Sequence, residues 1–176
     1  MENFELSFPT RIFFGKDVVN TVGEAVCKLG HTVMVVYGQS SVLKSGLYLR
    51  VEKSLQDAQC RVVSGGGVLS NPKFDGILLL AQRAKAEKVD CLLALGGGSV
   101  IDTAKALAAY LASSEQDQFW SRHFEQYIPV TKALPLAVVL TIPASGSETS
   151  DSCVISDVNS CIKRIASGPA LIPSIS

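Results

Sequence analysis

Short apolar runs alternate along the chain with longer segments in which apolar residues return every three or four positions. The runs Val33–Tyr37 (VMVVY), Cys60–Ser64 (CRVVS), Cys91–Leu95 (CLLAL) and Leu136–Ile142 (LAVVLTI) predict strands. Most are apolar throughout, the pattern of strands covered on both faces. Between them, Val18–Leu29, Tyr48–Gln59 and Lys73–Lys88 predict helices. In the third, Phe74, Ile77, Ala81 and Ala84 form the apolar stripe while Arg83, Lys85, Glu87 and Lys88 face water. This alternation predicts an α/β fold, a Rossmann-like parallel sheet flanked by helices. The polar and aromatic stretch Ser113–Tyr127 has no clear period and reads as an irregular surface excursion. Beyond Pro143 the texture changes. SCVIS and CIKRIAS flank Asp157, Val158 and Asn159 and predict a short β-hairpin near the C-terminus. The final GPALIPSIS, apolar and broken by prolines, predicts no helix and reads as a cut end.

The 176 residues suffice for one domain with a real core. Sixteen Lys plus Arg balance sixteen Asp plus Glu, so the basic footprint of a nucleic-acid binder is missing. With so little net charge, a mean hydropathy of +0.29 predicts apolar surface that something outside the chain covers. The amino terminus lacks a signal-peptide pattern, and the longest apolar stretch, Ala133–Ala144, is broken by Pro135, Thr141 and Pro143. No membrane partner is expected, and a cytoplasmic protein is. Five cysteines show no C-x-x-C pair, and Cys60, Cys91 and Cys153 begin or enter strands, which predicts buried thiols in a reducing compartment. His31 and His123 stand at no metal-ligand spacing. His31 reads as part of a turn, and His123, beside Trp120 and Phe124, as packing; no Ser-His-Asp set assembles.

The chemistry concentrates in CLLALGGGSVIDTAKALAA, Cys91–Ala109: an apolar strand, three glycines, Ser99, and a helix striped by Val100, Ala104, Leu107 and Leu111. Glycines let backbone amides approach an anion, and the N–H groups and positive dipole end of the helix hold it. Ser99 can cap that helix. A pyrophosphate cradle is the reading this favours, with a plain strand-to-helix turn as the alternative. The spacing fits neither G-x-G-x-x-G, since Ile101 stands where the third glycine belongs, nor a loop ending in Gly-Lys-Ser/Thr. Asp102 and Lys105 share a helix face, either as a weak surface pair or with the acid beside a ribose. Two more loops of small polar residues follow strands: Tyr37–Ser41 (YGQSS) and Thr141–Glu148 (TIPASGSE). Three such loops at strand carboxyl ends point to one crevice, where open α/β sheets bind nucleotides. Gly65–Gly67 with Asn71-Pro72 reads equally as a ligand loop or a bend.

FPTRIFFGKDVV, VVYGQSSVLKSGLY, SNP, LALGGGSVIDTAKALA, ALPLAVVLTIPASGSE and VISDVNSCIKR together resemble the cofactor-binding half of the iron-containing (group III) alcohol dehydrogenases. The likeness is strongest to the butanol dehydrogenase-like, NADPH-dependent branch, and it runs from about Phe8 to the last residue. It implies the dehydroquinate synthase-like fold for residues 1–176. It also implies hydride transfer between NAD(P)(H) and an alcohol or aldehyde. By this resemblance Gly97, Gly98 and Ser99 hold the pyrophosphate and Asp102 lies near the nicotinamide ribose. Asn71 and Pro72 line the groove, Thr141 and Ser145 border the adenosine side, and Lys163 reaches the ribose. NAD-preferring relatives carry an acid at the place of Gln39. Here Gly38, Gln39, Ser40 and Ser41 offer no negative charge, so NADP(H) is favoured over NAD(H). The family's metal, Fe2+ or Zn2+, is held by one Asp and three His of a helical carboxyl-terminal domain, beginning D-x-x-x-H. That motif is absent from these 176 residues. The expectation is therefore a truncated, inactive cofactor domain, prone to self-association or homo-dimer formation. The alternatives are a stand-alone nucleotide-binding module and a protein recognising some other phosphate.

Overall fold

A computed structural model of the chain describes residues 9–157 and 162–176. Four parallel strands form its centre: β1 (Thr32–Tyr37), β2 (Arg61–Gly65), β3 (Cys91–Gly96) and β4 (Leu136–Leu140), in the order β2-β1-β3-β4. An antiparallel hairpin of β5 (Ser152–Asp157) and β6 (Ile162–Ser167) stands apart from this sheet. Both features match the expected fold class. The expected turn residues Val158 and Asn159 lie outside the described residues, while Asp157 belongs to β5.

The apolar runs are buried on both faces because helices leave the sheet in both directions. Val33, Val35, Leu93 and Leu95 pack against α1 (Val22–Val26) and α3 (Leu47–Asp57). Met34, Val36, Leu92 and Ala94 pack against α4 (Phe74–Ala86) and α5 (Gly98–Ala112). This strand alternation feeds two cores through one layer of backbone. α3 and α4 end two residues before the expected Gln59 and Lys88, which stand beyond them in the left-handed conformation at φ 63° and 52°.

Four expectations are corrected. The helix expected over Val18–Leu29 is a 3-10 turn, Val18–Thr21, followed by the five-residue α1. Valine, valine and threonine weaken its start, and Gly23 lies so near α3 that a Cβ there would sit 1.9 Å from the Ser54 carbonyl oxygen. Tyr37–Ser41 is less of a loop than expected, since Ser41 opens a short helix, α2 (Ser41–Lys44). Ser113–Tyr127 is not an irregular excursion: it holds a 3-10 turn at Gln116–Gln118 and a π-helix at Ser121–Glu125. Phe119 and Phe124 from it are fully buried in an aromatic cluster with Phe74, Tyr110 and Trp120. Ring packing, which has no period, supplies the order there. Finally, GPALIPSIS, expected to hold no helix, contains a helical turn. Pro169–Leu171 is a 3-10 turn, and Ile175 bridges in parallel to Ala137 of β4 on one side and to Arg11 on the other. Residues 174–176 and 11–13 thereby extend the sheet beyond β4, with Arg11, Phe13 and Ser176 donating backbone hydrogen bonds of 2.7–3.0 Å.

Candidate functional site: the crevice at the carboxyl ends of β1 and β3

β1 connects leftward to β2 over one face of the sheet, while β3 connects rightward to β4 over the other. Their carboxyl ends are neighbours, Tyr37 opposite Leu95, so the chain parts there and leaves a crevice. The Gly38 loop lies along one wall and the Gly97 loop along the other. A Cβ on Gly38 would sit 4.0 Å from Val100 Cγ2. The third loop joins them: Thr141 N–H donates to the Gly96 carbonyl at 3.0 Å, and Ile142 reaches within 3.7 Å of a Cβ placed on Gly97.

Among Gly96, Gly97 and Gly98, none has a positive φ, so a turn that only glycine can adopt does not explain them. Space does. A Cβ on Gly96 would meet Val100 Cγ2 at 2.6 Å, and one on Gly98 would meet Ser145 Oγ at 2.6 Å. Gly97 caps α5 in an extended conformation, and its carbonyl accepts from the N–H groups of Val100 and Ile101. Among the described residues, the N–H groups of Gly98 and Ser99 have no acceptor, and they sit at the positive end of a 15-residue helix. This is an anion cradle by its geometry.

Ser99 lies inside the helix, so it is not the cap the sequence suggested; its hydroxyl donates to the Ser70 carbonyl at 2.7 Å. That bond draws the loop carrying Asn71 and Pro72 against the start of α5. Asn71 is exposed and Pro72 buried, and the Pro72 carbonyl accepts from Ser156 N–H at 2.8 Å. β5 therefore extends this loop, Lys73 pairing with Ser156 and Ser156 with Lys163. Lys163 stands exposed two strands from Lys73. Gln39, Ser40, Ser41, Thr141 and Ser145 are exposed around the crevice, and Gly38 is half-buried. The walls of a cavity of about 220 Å³ beyond the loop include Gly66, Gly67, Pro72, Leu79 and Thr103, and none of Gly97–Ser99.

Asp102 and Lys105 are not a surface pair. Asp102 Oδ1 accepts from Ser147 Oγ at 2.6 Å and its Oδ2 from Val154 N–H at 3.1 Å. Lys105 Nζ donates to the Ser150 carbonyl, Ser150 Oγ and the Ser152 carbonyl at 2.7, 3.0 and 2.9 Å. Burial lowers the Lys105 pKa, opposed by the nearby charge of Asp102 and, more weakly, of Asp151 and Glu148. Burial likewise pushes the thiols of Cys91 and Cys153 up to about 12. Sequence reasoning missed Ser70, Ser150 and the destination of Lys105, for which the only local sign was a lysine set among apolar residues between Ala104 and Ala109. Among the described residues no three His, Cys, Asp or Glu side chains gather to hold a metal ion, so this part of the chain does not fit one. Nor is any described helix long and apolar enough to cross a membrane.

The family model for iron-containing alcohol dehydrogenases matches residues 9–176. The chain is 35% identical over 176 residues to NADH-dependent butanol dehydrogenase B of Clostridium acetobutylicum, covering all of this chain and 44% of that protein. It is also 35% identical over 156 residues to the NADPH-dependent aldehyde reductase of Escherichia coli, covering 89% of this chain and 40% of that protein. In the crystal structure of NADH-dependent butanol dehydrogenase A from Thermotoga maritima, the same fold superposes with a TM-score of 0.91 at 37% identity. That superposition covers all of this chain and 44% of the other. The chain thus spans less than half the length of the relatives it matches. With its crevice, its GGGS-led helix and this likeness, the chain belongs to the iron-containing alcohol dehydrogenase family as an amino-terminal domain.

Proposed function

We propose that this chain seats NAD(P)(H) for a metal-dependent alcohol dehydrogenase or aldehyde reductase. The observation that carries the reading is the pair of N–H groups, Gly98 and Ser99, that have no acceptor among the described residues, at the point where the sheet connections diverge. The pyrophosphate rests on those donors, where a side chain at Gly98 would collide with Ser145. Gly38, Gln39, Ser40 and Ser41 border the adenosine ribose, while Thr141, Ser145, Asn71 and Pro72 enclose the crevice. Lys163 reaches the ribose, and Asp102 serves it through the loop its carboxylate already holds. When bound, the dinucleotide supplies a hydride acceptor or donor. The chain's own residues orient it and exclude a competing position. NADP(H) is favoured over NAD(H), because Gln39–Ser41 carry no carboxylate to repel a 2′-phosphate; the names of the relatives include dependence on either.

The substrate is an alcohol or aldehyde, and turnover requires metal ligands that do not gather among the described residues, so we infer that these 176 residues alone carry none. The described cysteines Cys27, Cys60, Cys91 and Cys153 are free thiols, which supports a reducing, cytoplasmic setting. Exposed Ile12, Phe14 and Ile142 supply apolar surface for a homo-dimer or other self-association. The test is titration with NADPH and NADH, followed by nicotinamide fluorescence. NADPH should bind the more tightly, and Gly98→Asp should lose binding by about a hundredfold or more through collision and like charge. Wild-type protein that binds neither cofactor, or a variant that binds like wild type, overturns the reading.

A further inference from the structure

The segment from Ser145 to β5 has no strand ladder of its own, yet it closes one side of the crevice. Gly146 turns it at φ 68°, Thr149 N–H bonds back to the Gly146 carbonyl, and it then meets α5 through side chains. Asp102 holds its two flanks, Ser147 and Val154. Lys105 holds its middle. Its three ammonium protons meet three acceptors, the two oxygens of Ser150 and the carbonyl of Ser152, and the side chain is 0% exposed. No carboxylate lies within ion-pair distance of it among the described residues. A buried cation carries a desolvation penalty that an apolar side chain of the same length avoids. What such a side chain cannot do is draw in two backbone carbonyls of an irregular segment and fix where it lies along α5.

We propose that Lys105 is a positioning residue for the dinucleotide: from the second turn of α5 it gathers the Ser150 and Ser152 carbonyls and so keeps Ser145 against Gly98 at the mouth of the cradle. This rests on the dinucleotide reading above. The groups facing the ammonium are Asp102 on its own helix and Glu148, Asp151 and Cys153 on the segment it grips. With Met in its place the packing volume is kept and the grip is lost.

The experiment pairs cofactor titration with amide hydrogen exchange on the 176-residue chain, wild type and Lys105→Met. The expected result is about tenfold weaker NADPH binding with exchange accelerated across 145–152, while amides of β1 and β3 keep their protection. A side chain that served stability alone would leave the affinity of the folded protein unchanged, and wild-type affinity in Lys105→Met therefore overturns the proposal. Should Lys105→Met fail to fold, Ser150→Ala removes one of the three acceptors from a partly exposed residue. Roughly twofold to fivefold weaker binding with faster exchange at 145–152 supports the proposal, and unchanged values in both overturn it. A wild-type chain that binds no dinucleotide sinks the functional reading instead. In that case unchanged exchange at 145–152 in Lys105→Met would sink the clasp as well.

Discussion

The sheet and the segment 141–154 are built on opposite plans, although both border the same crevice. β1 and β3 are held by a continuous parallel ladder and by apolar side chains on both faces, Leu92, Leu93 and Leu95 all fully buried. The segment is held at a few points by polar groups reaching from α5: Asp102 on Ser147 and Val154, Lys105 on Ser150 and Ser152. Many weak interactions spread along a ladder make a region rigid and tolerant of any one loss. A few strong ones make a region whose position depends on single atoms. The cradle uses both, a rigid helix start on β3 and a pinned loop across it.

The contrast is broken most severely from the sheet side. Leu93→Ala should cost about 3 kcal/mol of unfolding free energy by leaving a cavity between β3 and α3, while the cofactor affinity of the folded protein stays near wild type. Denaturant titration alongside fluorescence binding reads both, and a large affinity loss would show that the sheet and the loop are not separable. Alkaline pH tests the two regions together, since each holds one buried thiol. Burial raises the folded-state values of Cys91 and Cys153 from an ordinary 9.0 to about 12. The stability they contribute is fully present below pH 9 and is lost as pH rises through 12, because the unfolded chain releases those protons first. Lys105 has the opposite sign: its lowered value favours folding as pH climbs toward the ordinary lysine range, so it partly offsets the thiols. The thermal midpoint should fall from about pH 9 upward, and Cys153→Ala should flatten that fall. A midpoint flat to pH 11 would contradict the burial of both thiols.

Thiol labelling by an aromatic disulfide sharpens the same comparison at neutral pH. Among the described cysteines, half-exposed Cys27 should react first, then Cys60, then Cys153, with Cys91 in the centre of the sheet slowest. Cys91 reacting before Cys153 would reverse the ranking of the two regions. A smaller effect is expected of Ser147→Ala, which removes the hydroxyl from Asp102 and should cost about 1 kcal/mol, with exchange faster near 147 and unchanged in β3. Smallest of all, Leu79→Ser on the exposed face of α4 should shift stability by no more than about 0.5 kcal/mol.

The same division decides what could be read from residues alone. Val33–Tyr37 and Cys91–Leu95 announce themselves because burial on both faces demands unbroken apolar runs, and the helix stripes follow from a period of 3.6. The three small-residue loops were legible as one crevice because strand carboxyl ends must lie together in a parallel sheet. The roles of Asp102 and Lys105 were not, since a helix-face spacing of three says which side chains are neighbours and nothing about what lies opposite them. Ser99 was misjudged by one or two positions at the helix start, where Gly97 takes the cap. The aromatic stretch Ser113–Tyr127 was missed for a third reason: rings pack by shape at centroid distances such as the 4.5 Å of Trp120 and Phe124, and shape leaves no periodic trace.

The pairing of Arg11 with Ile175 gives this domain an order in time as well as in space. During synthesis β1, β2 and β3 can meet as they emerge, and β4 can join them, but the strip on β4's outer edge is built from residues 174–176 and 11–13, which lie far apart in sequence. Without residues 174–176, the backbone of residues 11–13 and that of Leu136–Val138 lose the partner strip that lies between them. The sheet therefore closes like a belt, its two ends far apart along the chain and joined only when both are present.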